Sequence, residues 1–133
     1  MIGFHPTTQS PRRGGLGLWL PVAAYMAAIY WGAALPQIPG LIAGISDIVQ
    51  HMAGYTGLAL LTLRATARGR WSGVTARAMA LAFGIAVVHG MTVEVEQMFV
   101  PGRFAEWRDV GNDVIGALVG LCGAWAWGKL FKE

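Results

Sequence analysis

The sequence predicts an all-α membrane protein, a bundle of four transmembrane helices with the N-terminus and C-terminus both cytoplasmic. Three observations carry this. Apolar residues are 55% of the 133-residue chain and charged residues only 13%, about half the share usual in a soluble domain. Four apolar stretches of helix length are separated by short polar breaks, and four spans of about 20 residues each would use most of the chain. The basic residues fall very unevenly on the two sides that such a path creates.

Residues 1–15 are polar and contain Pro6, Pro11 and the pair Arg12-Arg13, which suits a flexible cytoplasmic tail. A first span at about 16–35 carries no charged residue and is long enough to cross a bilayer. It exceeds the apolar core of about 7–15 residues found in cleaved signal peptides, so it reads as a retained span despite the preceding arginine pair. Pro36, Pro39 and Gly40 end it, and 36–46 is expected to form an outer loop or a short surface helix. The second span, about 47–63, is weakly apolar, interrupted by Gln50, His51, Thr56 and Thr62. A basic stretch with Arg64, Arg68, Arg70 and Arg77 leads to the third span at about 78–100. A tight connection then leads to the fourth, about 109–130. Residues 16–133 make a single transmembrane domain, with no room for a separate soluble catalytic unit.

Lysine and arginine near span ends stay in the cytoplasm. With both termini inside, Arg12, Arg13, Arg64, Arg68, Arg70, Arg77, Lys129 and Lys132 are inner, and only Arg103 and Arg108 are outer. Trp19, Trp71, Trp125 and Trp127 fall near the inner surface and Trp31 and Trp107 near the outer one, as aromatic belts do. Topology and anionic lipid account for the basic inner face, so it calls for no nucleic-acid partner. The outer side collects Asp47, Glu94, Glu96, Glu106, Asp109 and Asp113. Acidic residues contribute little to orientation, so this cluster needs another reason.

Helical spacing groups these residues. Asp47, His51 and Tyr55 recur at every fourth position and share one face. Glu94 and Gln97, three apart, share a face that Glu96 does not. Asp109 and Asp113 are four apart, and their face continues through Gly116 and Gly120, a small-xxx-small pattern that lets helices approach closely. The expectation is one narrow polar pocket beneath the outer surface, built from Asp47, His51, Tyr55, Glu94, Gln97, Arg103, Asp109 and Asp113. A Pro101-Gly102 turn is expected to fold Arg103 back onto Glu94.

These residues resemble the VanZ-like family of bacterial integral membrane proteins. Asp47-Ile48-Val49-Gln50-His51-Met52-Ala53-Gly54-Tyr55 is similar to the family's D-x-x-x-H-x-x-x-Y opening. Glu94-x-x-Gln97 followed by Val100-Pro101-Gly102-Arg103 resembles its second motif, and Asp109 with Gly116 and Gly120 its third. The resemblance covers about 47–120. Where the family commonly has asparagine four residues after the third-motif aspartate, this chain has Asp113, with Asn112 beside it; Gln50 and Glu96 are also unusual. The family is named for a protein that raises resistance to the glycopeptide teicoplanin. The resemblance implies a small multi-pass protein of the bacterial inner membrane concerned with the cell envelope. It implies no particular reaction.

Several chemistries suit the cluster. It can be a structural network, with Arg103 or Arg108 neutralising Glu94 and Asp109 while His51 donates to a carboxylate. It can bind membrane lipid, a lipid-linked envelope precursor or an antibiotic without turnover. It can be an enzyme acting on a phosphorylated lipid, with His51, Glu94 and Asp109 as candidate catalytic residues and the arginines holding a phosphate. His51 with Asp47, Glu94 and Asp113 offers metal-ligand types, but the spacing is not a metal signature, and neither a metal nor another cofactor is expected. There is no nucleophile motif, phosphate loop, nucleotide fingerprint or zinc-finger spacing. His89, near mid-membrane, is expected to be neutral and bonded to a neighbouring helix rather than a proton relay. Gly54, Gly57, Gly84 and Gly90 are expected at helix contacts, and Cys122 to be a buried thiol.

Overall fold

A computed structural model describes residues 15–35 and 45–131. The expected tail, the outer connection at 36–44, Arg12, Arg13, Lys132 and Glu133 lie outside the described residues. Among the described residues there are four long helices: α1, Gly15–Ala34; α2, Asp47–Thr66; α3, Ala76–Gln97; and α4, Trp107–Leu130. A 3₁₀ turn at Trp71–Gly73 lies between α2 and α3. No strand occurs among the described residues.

The helix limits follow from local chemistry. Ser46 caps α2, its hydroxyl accepting from the Val49 amide, and Thr75 caps α3 by accepting from the Ala78 amide; each satisfies one of the amides that a helix N-terminus leaves free. At the end of α2, Gly69 donates to Arg64 O and Arg68 to Ala65 O, the paired bonds of a Schellman ending. After α3, Pro101 and Gly102 occupy the centre of a turn closed by the Arg103 amide donating to Val100 O at 3.0 Å. Gly102 has φ +80°, a conformation that favours glycine and makes this a type II turn. The third span therefore stops at Gln97, short of the expected 100, because the chain must turn before Pro101.

Helices α1, α3 and α4 are each long and apolar enough to cross a membrane. Although α2 has spanning length, it is not among them. The reason lies in its position. α2 packs against α1, α3 and α4, while α1 and α4 flank the central α2–α3 pair. Its Tyr55 and Thr62 are buried against protein, where a polar group can be satisfied by a neighbour rather than by lipid.

The packing is small inside and bulky outside. Along α3, Ala78, Ala82, Ala86 and Gly90 recur every four residues and are buried, and the same seam ends in buried Glu94. Along α4, Gly116, Ala117 and Gly120 are buried below Asp109 and Asp113. A side-chain carbon on Gly116 would run into the Met52 backbone, and one on Gly120 would come within 2.9 Å of Thr56 O. Backbone contact at that distance permits the Thr56 hydroxyl to donate to Gly116 O at 2.8 Å. Large apolar side chains such as Leu16, Leu81, Val88, Val119 and Leu130, and all six tryptophans, are exposed. An apolar exterior of this extent suits lipid better than water.

Not every glycine serves this seam. Gly57 meets the Tyr25 ring and Gly90 meets Asp113 and Tyr55, but Gly54 and Gly84 have nothing within 4 Å of an added carbon. The expectation that these two are packing residues is corrected: Gly84 is exposed and Gly54 half-buried, and neither makes a close approach to another helix. Cys122 is also exposed rather than buried, since Leu121 takes the inward position beside it.

Candidate functional site

The two central residues come from parallel faces of α2 and α4. His51 Nδ1 lies 2.8 Å from Asp113 Oδ1. The carboxylate can only accept when ionised, so Nδ1–H donates to it. The opposite ring nitrogen, Nε2, lies 3.6 Å from Asp109 Oδ2. One imidazole thus faces both carboxylates of the i, i+4 pair. Asp47 enters from one turn above His51 on α2. Single ligand atoms of Asp47, His51 and Asp109 lie within 4.8 Å of one another. Asp47 is exposed, His51 half-buried, and Asp109 and Asp113 buried.

Glu94 of α3 reaches the same end of the bundle, where it meets the start of α4. It is only 4% exposed. Its Oε2 accepts from the Glu106 amide at 2.8 Å, and Glu106 is the N-cap of α4. A carboxylate there gains from the positive end of the helix dipole. Its Oε1 is buried without a partner, as is Asp113 Oδ2. Gln97 is buried on the same helix, while Glu96 is half-buried.

The expected partnership of Arg103 with Glu94 is not what the fold makes. Arg103 Nη2 donates to Ala33 O at 3.3 Å. Ala33 lies in the last turn of α1, where carbonyls lack intrahelical partners and attract a cation. Arg108 pairs with exposed Glu106 at 3.3 Å. Among the described residues, neither arginine nor any lysine forms an ion pair with Glu94, Asp109 or Asp113. Two buried carboxylates, Asp109 and Asp113, with Asp47 above them, therefore flank the His51 imidazole.

Tyr55 shares the His51 face but bonds elsewhere. Its hydroxyl lies 3.1 Å from His89 Nδ1, and His89 Nε2 donates to Met26 O of α1 at 3.3 Å. A carbonyl only accepts, so Nε2 carries the proton and the neutral ring accepts from Tyr55. His89 thereby ties α3 to both α1 and α2. Tyr30, which sequence reasoning did not single out, adds a second α1–α3 tie by donating to Thr92 O at 3.0 Å. Glu106 was missed as well, because its contribution is a backbone amide, which no side-chain pattern reveals.

Compared with family models, curated proteins and solved structures, the chain matches none of them.

Proposed function

We propose that this chain is a VanZ-like four-span protein of the bacterial inner membrane, with both ends cytoplasmic, that holds an envelope lipid, a lipid-linked precursor or a glycopeptide at its outer surface without turnover. The observation that carries this reading is the gathering of Asp47, His51, Asp109 and Asp113, with Glu94 on the N-cap amide of α4, at one end of a bundle whose exterior is apolar. Ionisable side chains within spanning segments are costly, and they mark ligand or ion pathways by default. Separately, a groove of about 460 Å³ lies between α1 and α3, lined by Met26, Leu81, Ile85 and Val88 and reaching His89. A polar cluster at one end of a bundle that also carries an apolar groove suits an amphiphile. The charge of the pocket restricts the polar part: it must present a positive group, such as an amine, or bring its phosphate with a cation.

The test is mass spectrometry of lipid co-purified with wild type and with Asp109→Asn. The expected result is a lipid enriched over its share of the membrane and lost in the variant. Bulk membrane lipid in both would sink the reading.

The His51–Asp113 bond favours a second reading, a membrane-embedded enzyme acting on a phosphorylated lipid or cell-wall precursor. A histidine oriented through Nδ1 by a carboxylate presents Nε2 as a general base. Conversion of the co-purified lipid on incubation, absent in His51→Gln, would favour it over simple binding.

A further inference from the structure

We propose that Asp47, His51 and Asp109 form a divalent-cation site of the zinc or manganese class, joining the first turns of α2 and α4. Three observations converge. Ligand atoms of the three residues already lie within 4.8 Å of one another, and His51 Nε2 is 3.6 Å from Asp109 Oδ2. Ligands about 2.1 Å from a tetrahedral ion stand roughly 3.4 Å apart, so little movement is needed. The imidazole is also prepared for a metal: Asp113 holds Nδ1–H at 2.8 Å, which leaves Nε2 as the lone-pair nitrogen. A carboxylate bonded to the far nitrogen of a metal-binding histidine is the usual supporting arrangement.

The independent observation is the orphaned carboxylate. Glu94, 4% exposed, has one oxygen on the Glu106 amide and the other buried with no partner, and Asp113, whose Oδ1 holds His51, has its Oδ2 likewise buried with no partner. Acids in a first helical turn are ordinarily explained by the dipole. That explanation covers Asp47 and Asp109, and Glu94 through the oxygen it places on the Glu106 amide, but not Asp113, which no arginine or lysine among the described residues neutralises. Buried carboxylates are normally paired or coordinate metals. One imidazole nitrogen with carboxylate oxygens is a mixed donor set, softer than magnesium or calcium sites and harder than thiolate ones. The cation also resolves the charge conflict of the proposed ligand, since it would let an acidic pocket accept a phosphate; that last step rests on the lipid reading, whereas the metal site does not.

The test uses the full chain purified in detergent, stripped with a chelator and equilibrated with Zn²⁺ alone or Mn²⁺ alone, with bound metal measured by elemental analysis. Wild type and Glu106→Gln, which removes a nearby exposed charge but no ligand, should each hold one ion per chain. Asp47→Asn and Asp109→Asn should bind at least about tenfold more weakly, and Asp113→Asn about 10–100-fold more weakly. Asp47 is exposed, so the metal-free Asp47→Asn protein should melt as wild type does, and its loss of metal cannot be attributed to unfolding. Wild type that holds neither ion stoichiometrically, or Asp47→Asn and Asp109→Asn proteins that bind as tightly as wild type, would overturn the proposal. Lipid content measured on the same samples reports on the lipid reading separately: metal bound without enriched lipid supports the site and counts against that reading alone.

Discussion

His51 of α2 donates to Asp113 of α4 at 2.8 Å, 62 positions apart in sequence, and this bond closes the polar end of the bundle. It lies above the Gly116 and Gly120 contacts, so the two helices are joined by backbone proximity below and by a charge-assisted hydrogen bond above. Hydrogen bonds between membrane helices contribute about 0.6 kcal/mol on average and up to about 1.7. A charge-assisted bond belongs near the top of that range. A double-mutant cycle on His51→Ala and Asp113→Ala, read by unfolding in mixed micelles, should give a coupling of about 1–2 kcal/mol. Additive losses would show that the two side chains do not interact.

The seam itself gives a second prediction. Gly116→Ala should destabilise by roughly 1–3 kcal/mol, because the new methyl meets the Met52 backbone, which cannot rotate away as a side chain can. Gly123→Ala on the same helix meets nothing within 4 Å and should be neutral or stabilise by about 0.4–1 kcal/mol. Equal effects at both positions would mean that α2 and α4 do not meet along this face.

Arg103 and Glu94 should behave independently. Arg103 holds Ala33 O of α1, and Glu94 holds the amide of Glu106. Arg103→Ala and Glu94→Gln should therefore add within about 0.3–0.5 kcal/mol in the double variant. A recovery of stability in the double variant would restore the direct ion pair that the motif spacing alone suggests.

Topology is tested by reporter fusions. Fusions after Gly102 and after Glu133 should report opposite compartments, with Gly102 outside, since the basic residues concentrate on the other side. A cytoplasmic Gly102 would invert the orientation and move the acidic cluster to the inner surface.

The sequence by itself determined the helices and their shared faces. Hydrophobic stretches and the Pro101-Gly102 turn locate α1 to α4 to within a few residues. Fourfold spacing puts Asp47 with His51, Asp109 with Asp113, and both carboxylates above Gly116 and Gly120. Those features are legible because they depend on neighbours along one helix, whose geometry is regular. Only the tertiary structure decided the pairings between helices: His51 with Asp113, Glu94 with an α4 amide, Arg103 with the end of α1, and Tyr55 with His89. It also decided that Gly54 and Gly84 make no close helix contact and that α2, the least lipid-like helix, occupies the centre. Each depends on the rotation of one helix against another and on how a turn aims a side chain, and periodicity along a single helix carries neither. Arg103 shows the difference most directly. Its charge made Glu94 the obvious partner, yet the type II turn delivers it to the unsatisfied carbonyls of α1, and among the described residues no other arginine or lysine pairs with the buried carboxylates.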